Sequence, residues 1–78
     1  MSTVFEKVQE ILVDQLGVEA GDVSMESNIQ EDLGADSIAV MEVVVEIEGE
    51  FDIEVTEDEL LQIKTVGDIV NRVENSKK

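Results

Sequence analysis

The chain has 78 residues, with 20 acids against 5 bases and a formal charge of −15. This length fits one small domain, expected to span 1–78, and excludes a second domain or a deep reaction chamber. Cys, His, Trp, Tyr and Pro are all absent, which excludes disulfides, thiolate nucleophiles, imidazole bases and the usual zinc ligands, so no catalytic residue and no metal site are expected.

The start MSTVFEKVQE has an acid as early as Glu6 and no apolar run, so neither a signal peptide nor a membrane span is expected and a cytoplasmic location follows. Thr3 and Glu6 then have the spacing of a capping box, in which a hydroxyl and a carboxylate exchange bonds with early backbone N–H groups. Behind them Val4, Val8, Ile11 and Leu12 share one helical face, and Gly17 supplies a stop. Thr56 with Glu59 and Thr65 with Asp68 repeat the device. The first of these introduces a short helix docked through Leu60 and Ile63. The second introduces a last helix built on Val66, Ile69, Val70 and Val73, followed by a frayed polar tail at 75–78.

Residues 17–36 show no sustained period and carry Gly17, Gly21 and Gly34. A loop this long inside a compact domain needs a function or anchors, and Val23, Ile29 and Leu33 are the expected anchors.

Residues 37–55 admit two readings. The β-branched, nearly alternating VVVEIEGEFDIEV could form a hairpin about Gly49. Alternatively, Val40, Val43, Val44 and Ile47 fall within about 100° on a helical wheel, with Glu42, Glu46 and Glu50 gathered elsewhere. A helix over 37–48 accounts for both sets, with Asp36 as its cap. It would leave a second apolar strip, Ile38, Met41 and Val45, beside the acids, a pattern suited to docking a partner. Met41 could equally be core filler, and the acids an ordinary solvated face. Ser37 would stand in the first turn, where backbone N–H groups and the helix dipole favour an attached phosphate.

The stretch Glu31-Asp32-Leu33-Gly34-Ala35-Asp36-Ser37-Ile38, followed by Glu42, resembles the acyl carrier proteins of type II fatty acid and polyketide synthesis. The likeness continues through Glu48-Gly49-Glu50-Phe51 and closes with Thr65-Val66-Gly67-Asp68. The resemblance implies an all-α fold, a small four-helix bundle of three longer helices and one short one with a long loop between the first two, and so favours the helix over the hairpin. It implies a monomeric carrier that is not an enzyme and holds acyl intermediates as thioesters in fatty acid biosynthesis. The arm would be 4'-phosphopantetheine, taken from coenzyme A and joined covalently to Ser37. It also implies the partners, a phosphopantetheinyl transferase and acyl-handling synthase enzymes. Their basic patches would dock near Asp36, Ile38, Met41, Glu42, Val45 and Glu48. Two positions depart from the family pattern: Ala39 stands where an acid is usual, and Thr56 where a proline is frequent.

Two other functions compete: a carrier for a polyketide or other specialised acyl pathway, and an acidic helical interaction module with no prosthetic group. The net charge disfavours nucleic acid and anionic membranes and favours basic protein surfaces. An EF-hand is excluded by the absence of its D-x-[DN]-x-[DN]-G loop.

Overall fold

The computed structural model describes residues 3–76. Four helices are present, α1 Val4–Leu16, α2 Ser37–Phe51, α3 Glu57–Gln62 and α4 Val66–Ser76, with a single 3-10 turn at Ala20–Asp22. The expected all-α bundle, three longer helices and a short one with a long connection after the first, is what the chain adopts.

Each helix starts where its side chains satisfy the free N–H groups of the first turn. Thr3 Oγ1 accepts from the Glu6 N–H at 3.1 Å, and Glu6 Oε1 accepts from the Thr3 N–H at 2.8 Å. Thr56 and Glu59 make the same exchange at 3.2 and 3.0 Å. At α4, Thr65 Oγ1 accepts from the Asp68 N–H, while Asp68 Oδ2 accepts from the N–H groups of both Lys64 and Thr65. Those backbone bonds, the Lys64 one foremost, hold the Asp68 carboxyl below its ordinary value. α1 stops at Gly17, whose left-handed φ of 70° lets its N–H donate to the Val13 carbonyl.

Val8 and Leu12 of α1 meet Val40, Val43, Val44 and Ile47 of α2 and Val66, Ile69, Val70 and Val73 of α4 in one core. α1 packs against both α2 and α4. The hairpin reading fails because α2 is continuous through Gly49 and Glu50 to Phe51, longer than the 37–48 expected. Its stripe of branched residues is buried on one side, and a strand would have turned alternate members of Val43–Ile47 away from that core. The helix ends at Asp52 in the left-handed region, and Glu48 Oε2 accepts the Val55 N–H at 2.7 Å to close the turn.

The 17–36 segment is irregular in secondary structure but firmly tied. Val23, Ile29 and Leu33 are buried as expected, and so are Ala35 and Ser27, which the sequence reading passed over. Ser27 Oγ donates to the Asp22 carbonyl and accepts from the Ser24 N–H, each at 3.0 Å. The segment is then strapped to the start of α4. Ile29 N–H donates to the Lys64 carbonyl, Val66 N–H to the Ser27 carbonyl and Gly67 N–H to the Met25 carbonyl, at 2.9, 3.0 and 2.8 Å. An isolated antiparallel bridge, Asn28 to Thr65, marks the same seam. α4 runs through Ser76, so Asn75 and Ser76 of the expected tail are helical, and the rest of it lies outside the described residues.

Candidate functional site

The loop positions the candidate serine. Leu33 and Ala35 point into the core, the Ala35 N–H donates to the Ile29 carbonyl at 3.1 Å, and Gly34 makes the turn between them at φ 74°. With its neighbours pinned, the chain emerges at Asp36, whose Oδ1 accepts the Ala39 N–H at 2.8 Å and caps α2. Ser37 is the first residue of that helix and is exposed. Among the described residues its hydroxyl has no hydrogen-bond partner.

A surface groove of about 280 Å³ opens beside Ser37. Val40 and Met41 of α2 form one wall, and Leu60, Leu61 and Ile63 of α3 and the turn after it form the other. Polar groups of Asn28, Gln30 and Lys64 edge it. The sequence reading missed the groove and Leu61, because both depend on how α3 is set against α2. A second, much smaller crevice of about 10 Å³ is lined by Val44 and Ile47 of α2, Ile53, Val55 and Ile63, and Ile69, Arg72 and Val73 of α4.

The second strip of α2 is exposed: Ile38 by 67 %, Met41 by 52 % and Val45 by 63 %, with Leu61 of α3 at 75 %. Met41 is therefore surface and not core filler. Glu42 and Glu46 are exposed beside the strip, while Glu50 pairs with Lys7 of α1 at 3.5 Å. Glu48 also has a structural role. It is half-buried and its Oε2 is engaged by the Val55 N–H, which leaves one oxygen for any partner. Asp36 remains exposed, with one oxygen committed to the cap.

Among the described residues no group of three or more acids, His or Cys is placed to hold a metal ion. No helix among them is long and apolar enough to cross a membrane. An exposed, unbonded hydroxyl at a helix start, flanked by a groove half apolar and half polar, fits a flexible covalent arm that must be added from outside and then lie along the surface. The chain is thus a small acidic helical protein with an exposed hydroxyl at the start of α2 beside a surface groove.

Residues 6–73 match the family of the phosphopantetheine attachment site. The acyl carrier protein of Clostridium acetobutylicum is 47 % identical over 70 residues, covering 90 % of this chain and 91 % of the relative. Among solved structures, the acyl carrier protein of Enterococcus faecalis superposes with a TM-score of 0.76 at 41 % identity, covering 90 % of this chain and 89 % of that one. A chain from Mycobacterium tuberculosis assigned as an acyl carrier protein gives a TM-score of 0.89 at 28 % identity, covering 95 % and 99 %. The chain belongs to the acyl carrier protein family, the carriers with a phosphopantetheine attachment site. As a member it is a non-catalytic carrier with a covalent phosphopantetheine, and the family's general function implies interaction with a phosphopantetheinyl transferase and synthase enzymes.

Proposed function

We propose that Ser37 receives the arm and that the whole chain is a single carrier domain serving fatty acid biosynthesis in the cytoplasm as a monomer. One observation supports this above the rest: the Ser37 hydroxyl is exposed and unbonded at the first turn of α2, with the groove on one side and the apolar strip on the other. When bound, 4'-phosphopantetheine supplies a thiol that holds acyl groups as thioesters. Ser37 Oγ would give its proton to a base of the loading enzyme as it bonds to the phosphorus of coenzyme A that bears the pantetheine, with 3',5'-ADP leaving, since no imidazole is present in the chain. The positive end of α2 at Ser37 would lower the cost of a phosphodiester's charge there in so acidic a chain.

Ile38, Met41 and Val45 form the apolar centre of the docking patch, with Asp36 and Glu42 as charges for basic residues of the partner. Steering by the net charge speeds encounter, and a small patch permits rapid release. One observation favours a more specialised acyl pathway as the second reading. Ala39 leaves the first turn of α2 without an acid, which alters the charge pattern next to the arm. Intact-mass measurement after treatment with coenzyme A and a broad-specificity phosphopantetheinyl transferase tests the assignment. One phosphopantetheine on the wild type and none on Ser37→Ala is the expected result, and modification of the variant refutes it. Treatment of the native chain's acyl thioester with hydroxylamine, followed by mass analysis of the released group, separates the two pathways.

A further inference from the structure

α3 is the least anchored helix. At six residues it is too short to stand alone, and none of its side chains is fully buried. Leu60, with Ile63 just beyond, packs half-buried on the core, while Leu61 projects from the groove side. The opposite side of α3 is held by Arg72 of α4, the chain's only arginine. Its Nε lies 2.7 Å from Glu59 Oε2 and its Nη2 lies 3.2 Å from Glu59 Oε1. Nη2 also donates to the Glu54 carbonyl in the segment that leads into α3, and Nη1 donates to Ser76 Oγ. The side chain is 23 % exposed. Only Nη2 hydrogen-bonds Glu59; the Nε contact is an ion pair whose N–H finds no hydrogen-bond partner among the described residues, so charge holds the distance and a single bond the orientation.

Several groups thus converge on one cation. Glu59 both closes the capping box at Thr56 and pairs with Arg72 through one hydrogen bond and one ion contact. The Thr56 N–H first, and Arg72 second, hold its carboxyl below the ordinary value and keep it ionised. Its helix meanwhile forms a whole wall of the groove. The groove that this wall bounds also has Ser37 on its lining.

We propose that Arg72 and Glu59 are positioning residues that hold α3 as the second wall of the groove beside Ser37, so that this pair sets how well the groove shelters the group on the arm. The inference rests on Ser37 as the attachment residue only for its second half. The first half concerns α3 alone and is tested on the full chain without the arm.

Amide hydrogen exchange is measured by NMR on wild type, Glu59→Gln, Arg72→Met and the double variant. In α3 the Leu60 N–H donates to the Thr56 carbonyl, and the Ile63 N–H to the Leu60 carbonyl. Both amides are expected to exchange roughly fivefold faster or more in each single variant, with α1 amides within about twofold of wild type. The double variant is expected to match the faster single one, because both remove the same pair. Unchanged α3 exchange, an equal rise in α1, or a double variant at the product of the two singles overturns the inference. Should Arg72→Met fail to fold, Glu59→Gln decides the matter by the same comparison. In a second arm, wild type and Glu59→Gln are loaded with a phosphopantetheine whose thiol carries a solvatochromic dye, and loading is verified by intact mass. Emission at longer wavelength in the variant is expected, and equal or shorter wavelength overturns the sheltering role. Failure of both to load at Ser37 refutes the attachment reading instead, and the exchange comparison still stands.

Discussion

Replacing Gly67 by alanine adds one methyl group in the first turn of α4, and its cost follows from what that methyl meets. A Cβ there lies 2.9 Å from the Met25 carbonyl oxygen and 3.5 Å from Met25 Cε. The thioether end can swing away, because Met25 is partly exposed. The carbonyl cannot move so cheaply: it accepts the Gly67 N–H at 2.8 Å, and two residues on the Ser27 carbonyl accepts the Val66 N–H. Relieving the contact lifts the loop off α4, at roughly 1–3 kcal/mol for overpacking. Weakening the hydrogen bonds of the seam adds about 0.5–1.5 kcal/mol. Against this stands the helix preference for Ala over Gly, about 1 kcal/mol at most. The net is a loss of about 1–3 kcal/mol, or a fall in Tm of roughly 5–20 °C for a domain of this size. Gly49→Ala is the control, since a Cβ at Gly49, in the last turn of α2, meets nothing within 4 Å. There the propensity stands alone and Tm should rise by a few degrees. Thermal melts by circular dichroism compare the pair. A Gly67→Ala chain at least as stable as wild type refutes the tight approach of loop and helix.

Glu59 gives a pH-dependent prediction. Its folded carboxyl titrates below the ordinary 4.5, so its contribution is fully present above 4.5 and is lost as pH falls through the folded value. The Tm difference between wild type and Glu59→Gln should therefore favour wild type at pH 7 and close in strong acid, and a gap that widens on acidification contradicts the Arg72 pair. Added sodium chloride or magnesium should raise Tm, because the −15 charge repels itself and salt screens it; a melt indifferent to salt argues against that repulsion. Ile38→Ser removes an exposed side chain and should leave stability within about 0.5 kcal/mol. The same change should lower kcat/KM for loading or acyl transfer, and unaltered transfer kinetics with every basic partner tested would remove Ile38 from the docking patch.

Much of this molecule is local, and local features could be read directly from the residues. The capping boxes at Thr3, Thr56 and Thr65 involve partners three residues apart, and the stripes Val8 with Leu12 and Ile69 with Val73 depend only on helical periodicity. The position of Ser37 after the Asp36 cap was legible for the same reason, and resemblance over the surrounding residues settled α2 where periodicity left a hairpin open. What depends on distant partners was not legible. No pattern in the sequence says that Met25, Ser27 and Ile29 fasten to the start of α4, that Glu48 turns to the Val55 N–H, or that Arg72 reaches across to Glu59 and the Glu54 carbonyl. Exposure of Met41 and the existence of the groove are likewise properties of two helices together. The sequence by itself determined where helices begin, which faces are apolar and which hydroxyl stands at the start of α2. The tertiary structure alone decided how α3 sits against α2, and therefore what kind of surface surrounds that hydroxyl, because hydrogen bonds and packing between segments far apart in the chain set that geometry.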